Sequence, residues 1–339
     1  MTDHKLIDIP ESVSGSILVI DGDFLAFKVS SVLENRCVKV FDKDEELYTF
    51  KNKTAFKKSD QYNPEFIVKD SQVLKNNYKI TMTYITKSIV NNLLKASNTT
   101  TPLIVLGGET NFRDRLPLPV TYKGNRIDKI RPLALKETKN NFSKLYTTIY
   151  TEDEEADDLI SKFQYKSYIE KNKDIIVCTP DKDAKGTPGN LFHPEDKYLT
   201  SIEGLGFVSI KQTSKIKLIG EGRKFFYSQL LTGDPVDNYF PCDIYKQKNN
   251  VGKKSAILSD FKVFNLLKDL NTDKECLKVI KDVYYNWYKD VSFWTDYNGN
   301  KVEGDWLDIL QMYCDVVHMR RWNNDRIRIR QVLTDMEII

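Results

Sequence analysis

Histidine and cysteine are both scarce in this chain, three and five among 339 residues, and neither is grouped. The cysteines at 37, 178, 242, 276 and 314 form no CxxC pair, and their number is odd. That argues against a disulfide framework and a zinc knuckle and fits a reducing compartment. With so few histidines, one of them His4 beside the start, a catalytic triad or histidine-rich metal site has little to draw on. Long apolar runs are missing too. Nothing approaches the length of a membrane span, and the opening MTDHKLIDIPES has no apolar h-region of a signal peptide. The expectation is a cytoplasmic protein with no membrane contact. Two glycine-containing phrases, GLGF at 204–207 and GEGRKFF at 220–226, lack the full dinucleotide fingerprint and the Walker pattern respectively.

What the chain has in quantity is carboxylate, and it comes in clusters. The apolar run ILVI at 17–20 delivers Asp21 and Asp23, and IIVC at 175–178 leads through Thr179-Pro180 to Asp181 and Asp183. TEDEEADDLIS holds Glu155, Asp157 and Asp158, and LLTGDPVDN holds Asp234 and Asp237. Packing gives no reason for acids at so many strand and helix ends, because like charges repel and raise one another's pKa. Divalent cations relieve that repulsion, and hard cations such as Mg²⁺ prefer oxygen ligands. The competing explanation, that acids at a helix start merely answer the helix dipole, covers 155–158 but not four clusters at once. Bases gather separately at 123–139, 211–224, 246–254 and 320–330, although the net charge is only +3. A polyanionic substrate with a metal at the point of reaction accounts for both patterns.

Periodicity places these clusters. The spacing predicts short buried strands at 17–20, 103–106, 175–178 and 191–194, and helices over 23–34 and 158–170. Met82, Ile85, Ile89 and Leu93 recur at the spacing of a helical core face. VKVFD and LYTFKNK read as a hairpin around Lys43–Glu46, while the rest of 38–80 reads as surface structure. IKLIGEGRKFFYSQLLTGD reads as a strand or loop and then a helix ending near Gly233, and the helical pattern dominates from 255 on. The fold class expected is α/β: an open, mostly parallel central sheet flanked by helices, with a helical C-terminal region. Ligands of such sheets sit beyond the carboxyl ends of the strands, where Asp21 and Asp181 fall.

The order of the motifs is more specific than any one of them. ILVIDGD, NFR with YKGNR, EEADDLIS, TPDKDA, and LLTGDPVDN followed by NVGKKSA resemble, over about residues 15–260, the phage and bacterial 5′-nuclease family. That family includes flap endonucleases, 5′→3′ exonucleases and the 5′-nuclease domain of bacterial DNA polymerase I; the general layout is most similar to the stand-alone phage 5′→3′ exonucleases. The resemblance implies a two-metal phosphodiesterase of phage DNA replication, using Mg²⁺ or Mn²⁺ at or near a 5′ end of DNA, a flap or an RNA primer. It implies a monomer working beside replication proteins. By position, Asp21, Glu155, Asp157 and Asp158 would form one metal site, and Asp181, Asp183, Asp234 and Asp237 the second. Lys123 and Arg126 would grip the scissile phosphate, Tyr122 would stack on an unpaired base, and Arg113 would touch a phosphate.

The resemblance also divides the chain into a nuclease core at 1–235, carrying a helical arch at about 111–140, and a helical duplex-binding region at 236–339. The basic run 319–331 reads equally as a helix touching duplex DNA or a partner and as a solvated tail helix. A helix–hairpin–helix resembling the family's would present Gly252, Lys253, Lys254 and Ser255 to a duplex phosphate and hold a K⁺ ion, although Asn250 stands where the family usually has glycine. The family's acidic ligand after the second strand is replaced by Gly108, which leaves Glu109 as the nearest substitute. Two alternatives stand beside this reading: an RNA-cutting nuclease on a related fold, and a DNA-structure-binding protein that has lost catalysis.

Overall fold

The computed structural model describes residues 5–249 and 258–339. The first part runs β1 (Ile17–Asp21), α1 (Gly22–Ser31), β2 (Glu34–Asp42), β3 (Glu45–Phe50), α2 (Lys53–Lys57), β4 (Ile67–Leu74), α3 (Tyr78–Ser97) and β5 (Thr101–Leu106). Then come α4 (Leu135–Leu145), β6 (Thr148–Tyr150), α5 (Ala156–Ile169), β7 (Ile175–Cys178), β8 (Gly189–His193) and β9 (Tyr198–Ile202). The remainder is β10 (Phe207–Gln212), β11 (Ile216–Glu221), α6 (Arg223–Thr232), α7 (Asp243–Asn249), α8 (Asp260–Leu267) and α9 (Asp273–Tyr288). It closes with β12 (Phe293–Thr295), β13 (Lys301–Glu303), α10 (Trp306–Val317) and α11 (Ile329–Asp335).

The central sheet has the order β6-β5-β1-β7-β8-β9. Its neighbours are parallel except for β9, which folds back antiparallel on β8. Side chains alternate across a strand, so an unbroken apolar run such as ILVI supplies both faces of a sheet covered on both sides. Leu18 and Ile20 join a core with Leu25, Val29, Met82, Val90 and Phe142 from α1, α3 and α4. Val19 joins Leu103, Val177, Leu159 and Phe163 on the face covered by α5. The fold is therefore α/β, with a parallel-dominated sheet flanked by helices. A second core gathers α6, α8, α9 and α10 around Leu230, Leu267, Ile280, Tyr284 and Leu310, and it reaches back to Leu205 and the β10–β11 hairpin. Among the described residues no helix is long and apolar enough to cross a membrane.

Three elements differ from expectation. The hairpin around Lys43 forms, but β4 pairs with the other side of β2 to make a three-stranded antiparallel sheet. Within 111–140 the chain holds short 3-10 turns at Phe112–Arg115 and Gly124–Arg126, and helix only from α4 at Leu135; Leu118 and Tyr122 pack into the C-terminal core, and the turn at 121–126 hydrogen-bonds to 235–238. Residues 319–328 are irregular and helix resumes only at α11; three arginines there contact neighbouring side chains. Arg320 lies over the Phe112 ring at 3.8 Å, Arg321 pairs with Asp325 at 2.9 Å, and Arg326 pairs with Asp315 at 2.6 Å.

Candidate active site

The parallel strands deliver their C-terminal ends to one groove. β1 ends at Asp21, whose carboxylate caps α1 by accepting from Phe24 N at 2.9 Å and accepts from the Thr179 hydroxyl after β7 at 3.0 Å. Burial, then the charges of Asp23 and Asp181, push the Asp21 carboxyl up to about 6. Asp181 opens the 3-10 turn Lys182–Gly186 by accepting from Asp183 N at 2.8 Å. That turn aims Asp183 at Gln229 on α6, whose amide donates to it at 2.5 Å. Burial and the neighbouring Asp181 raise Asp183 to about 7.

The LTGDPVDN segment supplies the opposite wall. Gly233 ends α6 at φ +71°, where a Cβ would come within 2.5 Å of Tyr239 O. The tight turn that follows is closed by Asp234 accepting from Val236 N at 2.7 Å and by a bridge between Asp234 and Tyr239. Asp183, Asp234 and Asp237 can each present a carboxylate oxygen within 4.8 Å of the others. Asp234 is only 3% exposed. The groove beside these three is lined also by Asp21, Asp181, Phe24, Arg126, Lys182 and Lys217.

The acidic start of α5 faces the same place, but its carboxylates diverge. Asp157 is raised well above its ordinary value by burial and by the charges of Asp181, Asp21 and Glu155, so it belongs to the crowded set. Glu155 accepts from the Tyr122 hydroxyl at 3.1 Å and from Lys123 Nζ. Asp158 turns away. It is fully buried, and its oxygens take both Arg113 guanidinium nitrogens at 2.5 and 3.0 Å and the backbone N–H of Arg320 and Glu155. Burial opposes its ionisation, but Arg113 and those donors hold it below the usual carboxylate range. Asp158 has no lone pair left facing the groove. Asp181, not Asp158, stands near Asp21 and Asp157, and its charge acts on both.

Arg113 is corrected likewise. It is 0% exposed, with Nε donating to Val316 O at 2.8 Å and an Nη to His318 O at 2.8 Å, so it offers no face to a phosphate. Tyr122 is 5% exposed and packs in the C-terminal core; its ring is not free to stack on a base. Its hydroxyl joins Glu155 to Asp237, at 3.1 Å from each. Glu109 is exposed after β5 and belongs to no cluster of acids among the described residues. At Gly108 a Cβ would overlap the Thr151 carbonyl, and its own N–H donates to Thr151 Oγ1 at 2.8 Å. That backbone contact excludes any acid at 108. Gly252, Lys253, Lys254 and Ser255, with the K⁺ expected there, lie outside the described residues.

Lys123 and Arg126 do reach the acids. Their turn is pinned to the Asp234–Asn238 segment: Lys123 N donates to Asp237 O at 2.9 Å, Asn125 Nδ2 to Pro235 O at 2.8 Å, and Asn238 Nδ2 to Thr121 O at 2.9 Å. Arg126 donates to Asp237 Oδ1 at 2.7 Å. Burial alone would lower Lys123, but Glu155 and Asp237 override it and raise it. Two motifs 110 residues apart thus form one basic and acidic wall.

No protein-family model matches the chain, and no curated protein does. Among solved structures it is similar to the bacteriophage T5 D15 protein co-crystallised with metal ions, at 13% identity and a TM-score of 0.48, covering 95% of this chain and 97% of that one. It is similar to a variant of the T5 D15 flap endonuclease in a pseudo-enzyme-product complex with DNA and metal ions, with the same identity and score over 95% and 98%. A mutant of the T5 5′-exonuclease matches at 10% identity and a TM-score of 0.43, covering 95% of this chain and 91% of that one.

The structure adds residues that the motifs concealed. Lys182, between the two acids of DKD, places its ammonium 2.8 Å from Asp234 and 3.8 Å from Asp183. Thr179 and Gln229 orient Asp21 and Asp183. Asp23 pairs with Lys139 of α4 at 2.5 Å and accepts from Gly107 N at 3.2 Å, tying the ends of β1 and β5 together. An acid flanked by a lysine in sequence gave a hint of Lys182; nothing in sequence pointed to Gln229.

Proposed function

We propose that this chain is a divalent-metal-dependent nuclease that hydrolyses phosphodiesters at or near the 5′ end of DNA, as a 5′→3′ exonuclease or flap endonuclease. The observation that carries this reading is the convergence of Asp183, Asp234 and Asp237 with Asp21 and Asp181 on one groove lined also by Arg126, with Asp157 beside these acids and Lys123 paired to Asp237. The donor set is all carboxylate, crowded enough that burial and mutual repulsion raise Asp21, Asp157 and Asp183. It fits hard cations such as Mg²⁺ or Mn²⁺. Asp183, Asp234 and Asp237 would hold one, and Asp21, Asp157 and Asp181 a second. Bound there, such ions supply an activated water and stabilise the leaving oxygen. Arg126 and Lys123 would hold the scissile phosphate in place of their present carboxylate partners, and the developing negative charge would strengthen that contact.

The 5′ polarity and a role in phage replication, including removal of RNA primers, rest on the order of the sequence motifs. Two observations favour the rival reading of a DNA-structure-binding protein without turnover: Gly108 admits no acid and Asp158 is turned inward, so two expected ligands are lost.

The deciding experiment incubates the protein with 3′-labelled 5′-flap, blunt-duplex and RNA–DNA hybrid substrates in Mg²⁺, Mn²⁺ or chelator, beside Asp183→Asn/Asp234→Asn. Metal-dependent products that disappear in the double variant support the nuclease, and the fastest substrate names its activity. Tight binding with no product in either metal sinks it and leaves the structure-binding protein.

A further inference from the structure

The β10–β11 hairpin has one face with a packing role and one without. Side chains alternate across its antiparallel register, so Val208, Ile210, Leu218 and Gly220 share one face. Val208 and Leu218 are buried in the C-terminal core, and Leu218 N donates to Asp260 Oδ2 of α8 at 2.8 Å. The other face carries Phe207, Ser209, Lys211, Lys217, Ile219 and Glu221. Phe207 is 51% exposed and Ile219 38%. Lys211 and Lys217 stand directly opposite each other, an arrangement that costs stability in a sheet. Neither is in an ion pair, and neither is Lys215 at the hairpin turn, among the described residues. Glu221, the acid on this face, lies 3.9 Å from Lys185 instead. Lys217 also lines the groove of Asp21, Asp181, Asp183, Asp234 and Asp237.

We infer that this outer face is a platform for single-stranded DNA, continuous with the acidic groove; the choice of ligand rests on the nuclease reading. Uncompensated lysines on a strand edge match phosphates. An exposed phenylalanine and isoleucine match base faces, and bases offer those faces only when unstacked from a duplex. Lys217 at the rim of the groove then holds the phosphate nearest the carboxylates, while Lys211 and Phe207 hold the strand as it leaves.

The test is fluorescence anisotropy of a labelled oligothymidylate in chelator across a salt series. It uses the full chain, Lys211→Ala/Lys217→Ala, Phe207→Ala, and Lys211→Arg/Lys217→Arg as a charge-keeping control. Each replaced side chain is at least partly exposed, and thermal melting checks that the variants fold. The double alanine variant should bind at least about tenfold more weakly, with the slope of log K against log salt reduced by roughly 1.4, about 0.7 for each lost phosphate contact. The arginine variant should keep both. Phe207→Ala should lose roughly five- to 150-fold in affinity with the slope unchanged, while a blunt duplex loses less. A parent that ignores oligothymidylate, or alanine variants that bind it like the parent, would overturn the platform. Equal losses on duplex and single strand would also overturn it, since they would show general charge attraction. Cleavage in Mg²⁺, run in parallel, separates the two readings. A parent that cleaves while the variants bind normally keeps the nuclease and loses the platform. Hairpin-dependent binding with no cleavage does the reverse.

Discussion

Arg113 and Asp158 show how the meaning of a residue depends on what its side chain meets. Both stand in motifs whose sequence points to a substrate or metal, and both are fully buried against each other. Removing one partner leaves the other charge in a dry interior, so Arg113→Ala should lose about 3–5 kcal/mol. Urea denaturation reads this directly, and a loss under about 1 kcal/mol would contradict the buried pair. Lys123, by contrast, keeps its ammonium at the groove with its side chain 22% exposed. Lys123→Ala should slow metal-dependent cleavage by about 10²-fold while the melting temperature moves little; a large drop in melting temperature with normal turnover would make it a structural residue. The bases of TYKGNR were visible in the sequence, but not that both reach Asp237, which lies 111 residues beyond Arg126. The fate of Arg113 was hidden because its acceptors, Val316 and His318, lie 203 and 205 residues away.

At the scale of elements, local signals were reliable wherever a segment buries a face of regular period. The apolar runs of β1, β5 and β7, the Met82–Leu93 stripe of α3 and the acidic start of α5 all appear as their sequences suggest. The 111–134 segment has no such period, and its conformation is set by docking: Thr121–Arg126 is zipped onto Pro235–Asn238 by backbone and amide hydrogen bonds. The β5 end follows the same rule. Restoring an acid with Gly108→Asp should not improve metal binding, because its Cβ meets the Thr151 carbonyl. It should instead cost about 1–3 kcal/mol through overpacking. Calorimetric titration with Mn²⁺ together with thermal melting checks both halves, and tighter binding without destabilisation would show that the strand end can yield.

For the whole molecule, the crowded carboxylates couple stability to pH and to metal. Asp21 and Asp183 titrate near 6 and 7 in the folded protein, against ordinary values near 3.8. The folded state therefore binds more protons than the unfolded state between about pH 4 and about pH 7, and stability falls as pH rises through that window. In chelator the melting temperature should decline from about pH 5 to about pH 8; Mg²⁺ should recover most of that loss at the upper end, and Asp183→Asn should weaken both effects. A metal-free protein equally stable at both ends would count against the crowding. By itself the sequence determined the α/β class, the strand ends and the residue types of the groove, because apolar period and carboxylate clustering are local properties. Only the tertiary structure decided which acids face one another and which turn inward, and that Asp181 stands with Asp21 and Asp157. It also decided that the hairpin's lysines stay out of ion pairs among the described residues. Those outcomes depend on contacts between segments tens to hundreds of residues apart, where burial and hydrogen-bond satisfaction, not local pattern, choose each side chain's partner.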